Sequence, residues 1–348
     1  MENQEKPHKR RVRYSGTHPK RFSEKYKEHQ PEKYADVVEK VIRKGSTPAG
    51  MHISICVKEI LDFLQIQPGQ KGLDATLGYG GHTLEMLKCL KGEGHIYGLD
   101  VDPIESEKTK ERLKKQGFGE DILTVKLLNF RNIDQVAEEA GKYDFVLADL
   151  GVSSMQIDNP ERGFSYKVDG PLDLRMNPQK GISAAERLKE VTQEELYGML
   201  LENADEPYAE EISKAVIRQR RIRPIETTTD LKQVIEQALS FIPEKERKEA
   251  VKKSCQRSFQ ALRIDVNSEF EVLYDFLEKL PQVLVPNGRA AILTFHSGED
   301  RLVKKSFKQF YKEGIYSDIC KDVIRPSQEE CARNSRAKST KMRWAIRA

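Results

Sequence analysis

The residues best suited to chemistry lie where short apolar runs give way to glycine or acid. The first group is Asp74-Ala75-Thr76-Leu77-Gly78-Tyr79-Gly80-Gly81-His82. An acid at that point can hold an ammonium, a hydroxyl or a bridging water, and the glycines let a ligand approach the backbone closely. A dinucleotide pyrophosphate calls for G-x-G-x-x-G. Here the glycines fall as G-x-G-G, which suits the amino-acid moiety of S-adenosylmethionine better; an ordinary tight turn would use the same residues. Asp100 follows Gly78 by 22 positions. An acid about 20 residues past such a loop accepts hydrogen bonds from ribose hydroxyls. Asp102 competes for that role, although Pro103 directly after it reads as the start of a helix, with Asp102 as its cap. Asn129-Phe130 ends another apolar run and could flank an adenine; plain core is the alternative for Phe130.

Ala148-Asp149-Leu150-Gly151-Val152-Ser153-Ser154-Met155-Gln156 is the next group. This place faces the transferable group in Rossmann-like methyltransferases. Many enzymes acting on exocyclic amines carry an acid or Asn there, followed by two prolines and an aromatic ring. This chain keeps the acid and lacks the prolines. An acceptor such as Asp149 would stabilise positive charge developing on an amine, or serve only as a cofactor contact. His296 and Glu299 follow a later strand and could position a substrate or take up a proton; a hydrogen-bonded turn with Asp300 and Arg301 is the alternative.

Strands must present these groups. Lys71–Thr76, His95–Leu99, Ile122–Leu128, Tyr143–Leu150 and Arg289–Phe295 read as strands, the last after a turn at Pro286-Asn287-Gly288. Thr83–Leu90 and Pro103–Lys115 read as helices between them. This alternation predicts an α/β fold of Rossmann-like type with a parallel sheet. Residues 155–262 show mainly helical periodicity, as in Thr192–Asn203, Tyr208–Arg220 and Thr229–Phe241. The expected organisation is a basic N-terminal extension over 1–50 and a Rossmann-like domain formed by 51–154 and 263–348. A helical, substrate-recognising insertion over 155–262 falls at the carboxyl end of the sheet, where ligands bind.

Composition narrows the function classes. Residues 1–50 hold 13 Lys/Arg against 7 Asp/Glu, a net +6, whereas the remainder holds 46 against 48. A basic arm suits a polyanionic partner, or it is simply solvated. Within it, Pro31–Arg43 reads as a short helix. No apolar run reaches the ~18 residues of a membrane span, and the charged start does not read as a secretory signal; a cytoplasmic protein is expected. The five cysteines show no C-x-x-C spacing and no histidine cluster accompanies them, so neither a disulfide framework nor a metal site is expected.

Five motifs occur in a fixed order: Asp74–His82, Asp149–Ser154, Arg162-Gly163-Phe164-Ser165, Gly170–Met176 and Phe295–Arg301. Together they resemble the bacterial 16S rRNA cytosine-N4 methyltransferase family (RsmH, also called MraW) from about His52 onward. The resemblance implies S-adenosylmethionine as cofactor, bound by Gly80, Gly81, His82, Asp100, Phe130, Asp149 and Gln156. It implies 16S rRNA in the small ribosomal subunit as partner and a decoding-region cytosine as substrate. The chain departs from the usual family pattern at Met155, at Gly298, at Asn334–Ser339, and at His52-Ile53. Asp149, His296 and Glu299 are the catalytic candidates. Arg162, Arg175 and the basic run 333–343 are candidate phosphate contacts. Methylation of another RNA or of DNA, a non-catalytic RNA-binding paralogue and an NAD-dependent oxidoreductase are the alternatives.

Overall fold

The computed structural model describes residues 54–348. The extension 1–50 and the expected Pro31–Arg43 helix lie outside the described residues. Strands β1 (Lys71–Asp74), β2 (His95–Asp100), β3 (Leu123–Leu127), β4 (Tyr143–Asp149) and β5 (Leu284–Thr294) run parallel. Strands β6 (Tyr316–Ile319) and β7 (Lys341–Arg347) complete a seven-stranded sheet of order β3-β2-β1-β4-β5-β7-β6. β7 is antiparallel to both of its neighbours. One sheet of this order with helices on both faces is the Rossmann-like fold expected from the alternating pattern.

Successive side chains of a strand face opposite ways, and β4 uses both faces. Val146 and Ala148 pack with α4 (Ile133–Ala140), α11 (Glu269–Val283) and α12 (Ser297–Lys312). Phe145 and Leu147 pack on the other face with α1 (Val57–Leu64), α2 (Gly81–Leu90) and α3 (Pro103–Lys115). A strand covered on both faces reads as the continuous apolar run seen here.

Between β4 and β5 the chain forms α5 (Ser154–Asp158), α6 (Ala184–Glu190), α7 (Gln193–Ala204), α8 (Ala209–Arg220), α9 (Thr228–Ala238) and α10 (Glu244–Asn267). Ser153, Ser183, Thr192 and Thr227 begin four of these helices with capping boxes, each satisfying otherwise orphaned backbone donors. A separate apolar cluster runs from Phe164 to Leu262 within this stretch.

Two features differ from the sequence reading. Leu284 already pairs with Tyr143, and Arg289 pairs with Phe145. The expected turn at 286–288 is therefore a bulge inside β5, with Asn287 at φ 64°. In addition, β7 begins at Lys341, in the last three residues of the 333–343 segment read only as a basic run, and continues to Arg347; its charges conceal a strand.

Candidate active site

The carboxyl ends of β1, β2 and β4 meet at the glycine loop. Asp74, only 1% exposed, accepts from Thr83 Oγ1 (2.6 Å) and from the Thr76 amide (3.1 Å). Burial raises its pKa despite these bonds. Both Asp74 oxygens thus brace the loop from within, so Asp74 does not present a free carboxylate to a ligand. Thr76 continues the brace: its Oγ1 accepts from the Asp149 amide at 2.6 Å. The sequence reading missed the role of Thr76 and Thr83, although both hydroxyls flank the glycines.

Gly80 precedes α2 at φ 77°, and a Cβ there would meet Thr109 Cγ2 at 2.7 Å. Glycine is therefore required at this position. Gly81 opens α2. Asp100 ends β2, with Oδ2 accepting from the Gly78 amide (2.9 Å) and Oδ1 from the Asp102 amide (2.8 Å). Burial pushes the Asp100 carboxyl up to about 6, opposed by these amides and reinforced by the Asp102 charge. Asp102 does cap α3, through the Ile104 and Glu105 amides.

His82 Nε2 lies 2.9 Å from the Ile55 carbonyl, and Nδ1 lies 3.4 Å from Asp149 Oδ2. A carbonyl only accepts, so Nε2 carries a hydrogen. The Nδ1–Asp149 contact then needs one shared proton to be favourable. Burial pushes the Asp149 carboxyl up to about 6; His82 opposes the rise, and the Asp74 and Glu299 charges add to it. Its other oxygen, Oδ1, is buried without a hydrogen-bond partner, an acceptor awaiting a donor.

The remaining candidates lie around this centre. Phe130 packs edge-on against Phe276 at 5.1 Å between ring centroids, partly buried beside the β3 end. Gln156 has its side chain engaged at both ends, Oε1 by the Ser153 amide and Nε2 by Asp102 Oδ2. His296 Nε2 stands 3.2 Å from Glu299 Oε1, in ion-pair range but out of line for a hydrogen bond, so both ring nitrogens are buried without a bonded partner. Glu299 also accepts from the Phe295 amide (2.9 Å). Burial alone would raise the Glu299 carboxyl; His296, that amide and Arg263 outweigh it and hold it below its ordinary value. Ligating atoms of Glu269, His296 and Glu299 lie within 4.8 Å of one another. Both Glu269 oxygens, however, are taken by Arg263 at 2.7 and 2.9 Å.

The candidate phosphate contacts are differently disposed. Arg162 is 8% exposed and pairs with Asp102. Arg175 is bound to Asp173. Arg333 pairs with Glu329, Arg336 with Asp158, and both Lys341 and Arg343 with Asp300. Lys338 remains exposed.

The tight glycine cradle, the acid ending β2 and the orphaned acceptor ending β4 fit S-adenosylmethionine: a close-packed amino-acid end, a ribose and a reacting centre. Fold and site together define an S-adenosylmethionine-dependent methyltransferase. Comparison with known proteins makes the assignment particular. Residues 49–348 match the model of the MraW methylase family. A Lachnoclostridium phytofermentans protein named ribosomal RNA small subunit methyltransferase H 1 is 73% identical over 348 residues, covering 100% of this chain and 95% of that protein. A protein of the same name from Agathobacter rectalis is 69% identical, covering 99% of each. The ribosomal RNA small subunit methyltransferase H of Koribacter versatilis is 39% identical over 85% of this chain and 94% of its own length. The chain belongs to the MraW methylase family.

Proposed function

We propose that this protein methylates the exocyclic N4 of a cytosine in the decoding region of 16S rRNA, acting in the cytoplasm on the small ribosomal subunit. The reading rests on the small-subunit methyltransferase names of its relatives and, in the structure, on the buried and unpartnered Oδ1 of Asp149. A cytosine amino group supplies the donor which that oxygen lacks.

S-adenosylmethionine, when bound, supplies an electrophilic methyl group on a sulfonium. Gly80, Gly81 and His82 would line its amino-acid end. Asp100 would accept from the ribose, and Phe130 would flank the adenine. Gln156 supports this side through Asp102. Cytosine N4 is a weak nucleophile because its lone pair is delocalised into the ring, so alignment supplies much of the acceleration. Asp149 accepts a hydrogen bond from N4 and stabilises the charge that develops there. His296, whose ring nitrogens carry no hydrogen bond and whose Nε2 lies 3.2 Å from Glu299 Oε1, takes the proton that N4 loses. The target base must leave its stack to reach this site, and the helical stretch 155–262 serves as the surface that receives the RNA.

The test is methyl transfer from labelled S-adenosylmethionine to small subunits lacking cytosine-N4 methylation, followed by nucleoside analysis. Labelled N4-methylcytidine at one decoding-region position is the expected result. No label, with cofactor binding intact, would direct attention to another RNA, to DNA, or to a non-catalytic binding role.

A further inference from the structure

Arg162, read from the sequence as a phosphate contact, is instead buried on Asp102 and joins both sides of the site. Its Nη1 donates to Asp102 Oδ2 at 2.6 Å. Asp102 is fully buried, and its Oδ1 holds the start of α3 through the Ile104 (3.0 Å) and Glu105 (3.3 Å) amides. Gln156 Nε2 reaches the same Oδ2 at 3.0 Å. The Asp102 amide in turn fixes Asp100 Oδ1. On its far side, Arg162 Nη2 donates to the Arg175 (3.0 Å) and Met176 (2.7 Å) carbonyls, and the Arg162 carbonyl accepts from the Leu174 amide at 3.2 Å. Leu174 is buried at φ 65°, a conformation that costs a branched residue free energy and persists only when its surroundings impose it. Asn267, the last residue of α10, completes the clamp: it donates to the Leu174 carbonyl and accepts from the Met176 amide.

We propose that Arg162 is a positioning residue that sets the ribose-facing Asp100–Asp102 turn from the strap 174–176 on the helical, substrate-facing side. A guanidinium suits this task because its planar fork serves a carboxylate and two carbonyls at once. A buried Asp102 deprived of its cation is an uncompensated charge, and the turn must rearrange to relieve it. Disturbance of the strap thereby reaches the cofactor, and occupancy of the cofactor site reaches the strap, since linkage between two binding events is reciprocal.

This inference rests on the cofactor reading of Asp100, and its test separates the two. S-adenosylhomocysteine affinity is measured by calorimetry on wild type, Arg162→Lys, Arg162→Met and Arg162→Met/Asp102→Asn, with melting temperature and the KM and kcat for methyl transfer alongside. Asn caps a helix as well as Asp does and removes the stranded charge. Arg162→Met should weaken S-adenosylhomocysteine binding by roughly tenfold or more and raise the KM for S-adenosylmethionine in step. Arg162→Lys should fall between wild type and Arg162→Met. The double variant should recover about threefold or more of the lost affinity. A purely structural role would lower the melting temperature and leave the folded protein's affinity unchanged. Folded Arg162→Met within twofold of wild type, or a double variant no better than the single one, overturns the proposal. If Arg162→Met does not fold, an unchanged affinity in Arg162→Lys overturns it instead. A wild type that does not bind S-adenosylhomocysteine removes the cofactor reading and this inference together.

Discussion

Asp149 is the residue on which the proposed chemistry turns, and its surroundings give it a pH signature. Burial pushes both Asp149 and Asp100 up to about 6, above the roughly 3.9 of an unfolded Asp. The folded chain therefore binds these protons more tightly than the unfolded one. Their contribution to stability is fully present below about pH 4 and is lost as pH rises through about 6. Asp149→Asn should then stabilise the fold by about 1–3 kcal/mol at pH 7.5, with the gain shrinking toward pH 4 in chemical denaturation. An Asn that stabilises equally at both pH values would contradict the assignment. Activity runs the other way, because only the carboxylate is a strong acceptor for N4. The kcat/KM for methyl transfer should fall as pH drops through about 6, and Asp149→Asn should lose on the order of a hundredfold in kcat. Its S-adenosylhomocysteine affinity should stay within a few fold. Equal loss of binding and rate would instead make Asp149 a cofactor contact alone.

At the scale of elements, the glycine loop and the last strand, β7, invite contrasting tests. Gly80→Ala forces a side chain at φ 77° into Thr109. A cost of about 1–3 kcal/mol should appear in thermal melting, together with weaker S-adenosylhomocysteine binding; unaltered binding would mean the cradle does not contact the cofactor. Arg343→Met leaves Asp300, 8% exposed, with Lys341 as its remaining cation. The fold should lose about 3 kcal/mol in urea unfolding, with Asp300→Asn rescuing part of it and cofactor affinity in the folded state unchanged. These elements were unequally legible in the sequence. β4 announces itself because both faces are buried, and Pro103 marks α3 because proline fixes the first turn. Lys341 and Arg343 look like surface charge, and only their pairing with Asp300, 41 and 43 residues away along the chain, shows why a strand carries Arg343 inside. Arg162 misleads for the same reason: a lone arginine gives no sign of the carboxylate 60 positions before it. The bulge at Asn287 was hidden too, because Leu284 joins the ladder before the turn-forming residues rather than after them.

For the whole molecule, the net positive charge is concentrated in residues 1–50, whereas the residues of the candidate site lie between 74 and 299. Residues 54–348 place acids at the strand ends and pair many of the cations elsewhere. The net +6 of residues 1–50 stands apart from this near-balanced remainder. The family match begins at residue 49, whereas the Lachnoclostridium phytofermentans protein aligns over all 348 residues and so shares the arm. The arm is thus dispensable to the family's definition but common to this chain and that close relative. A basic segment outside the catalytic domain acts on RNA mainly through release of counterions, which costs affinity as salt rises. Removing residues 1–45 should weaken binding to 16S rRNA by about tenfold near 0.15 M salt and reduce the slope of log affinity against log salt by at least about 2, the effect of some three phosphate contacts on a single strand. S-adenosylhomocysteine affinity should not change, since the hydrogen bonds that hold Asp74, Asp100 and Asp149 are made with Thr83, Gly78 and Thr76. Fluorescence anisotropy across a potassium chloride series measures the slope directly. An unchanged slope would assign RNA affinity to the helical stretch and exposed cations such as Lys338 instead, and the arm would then need a partner other than the ribosomal RNA.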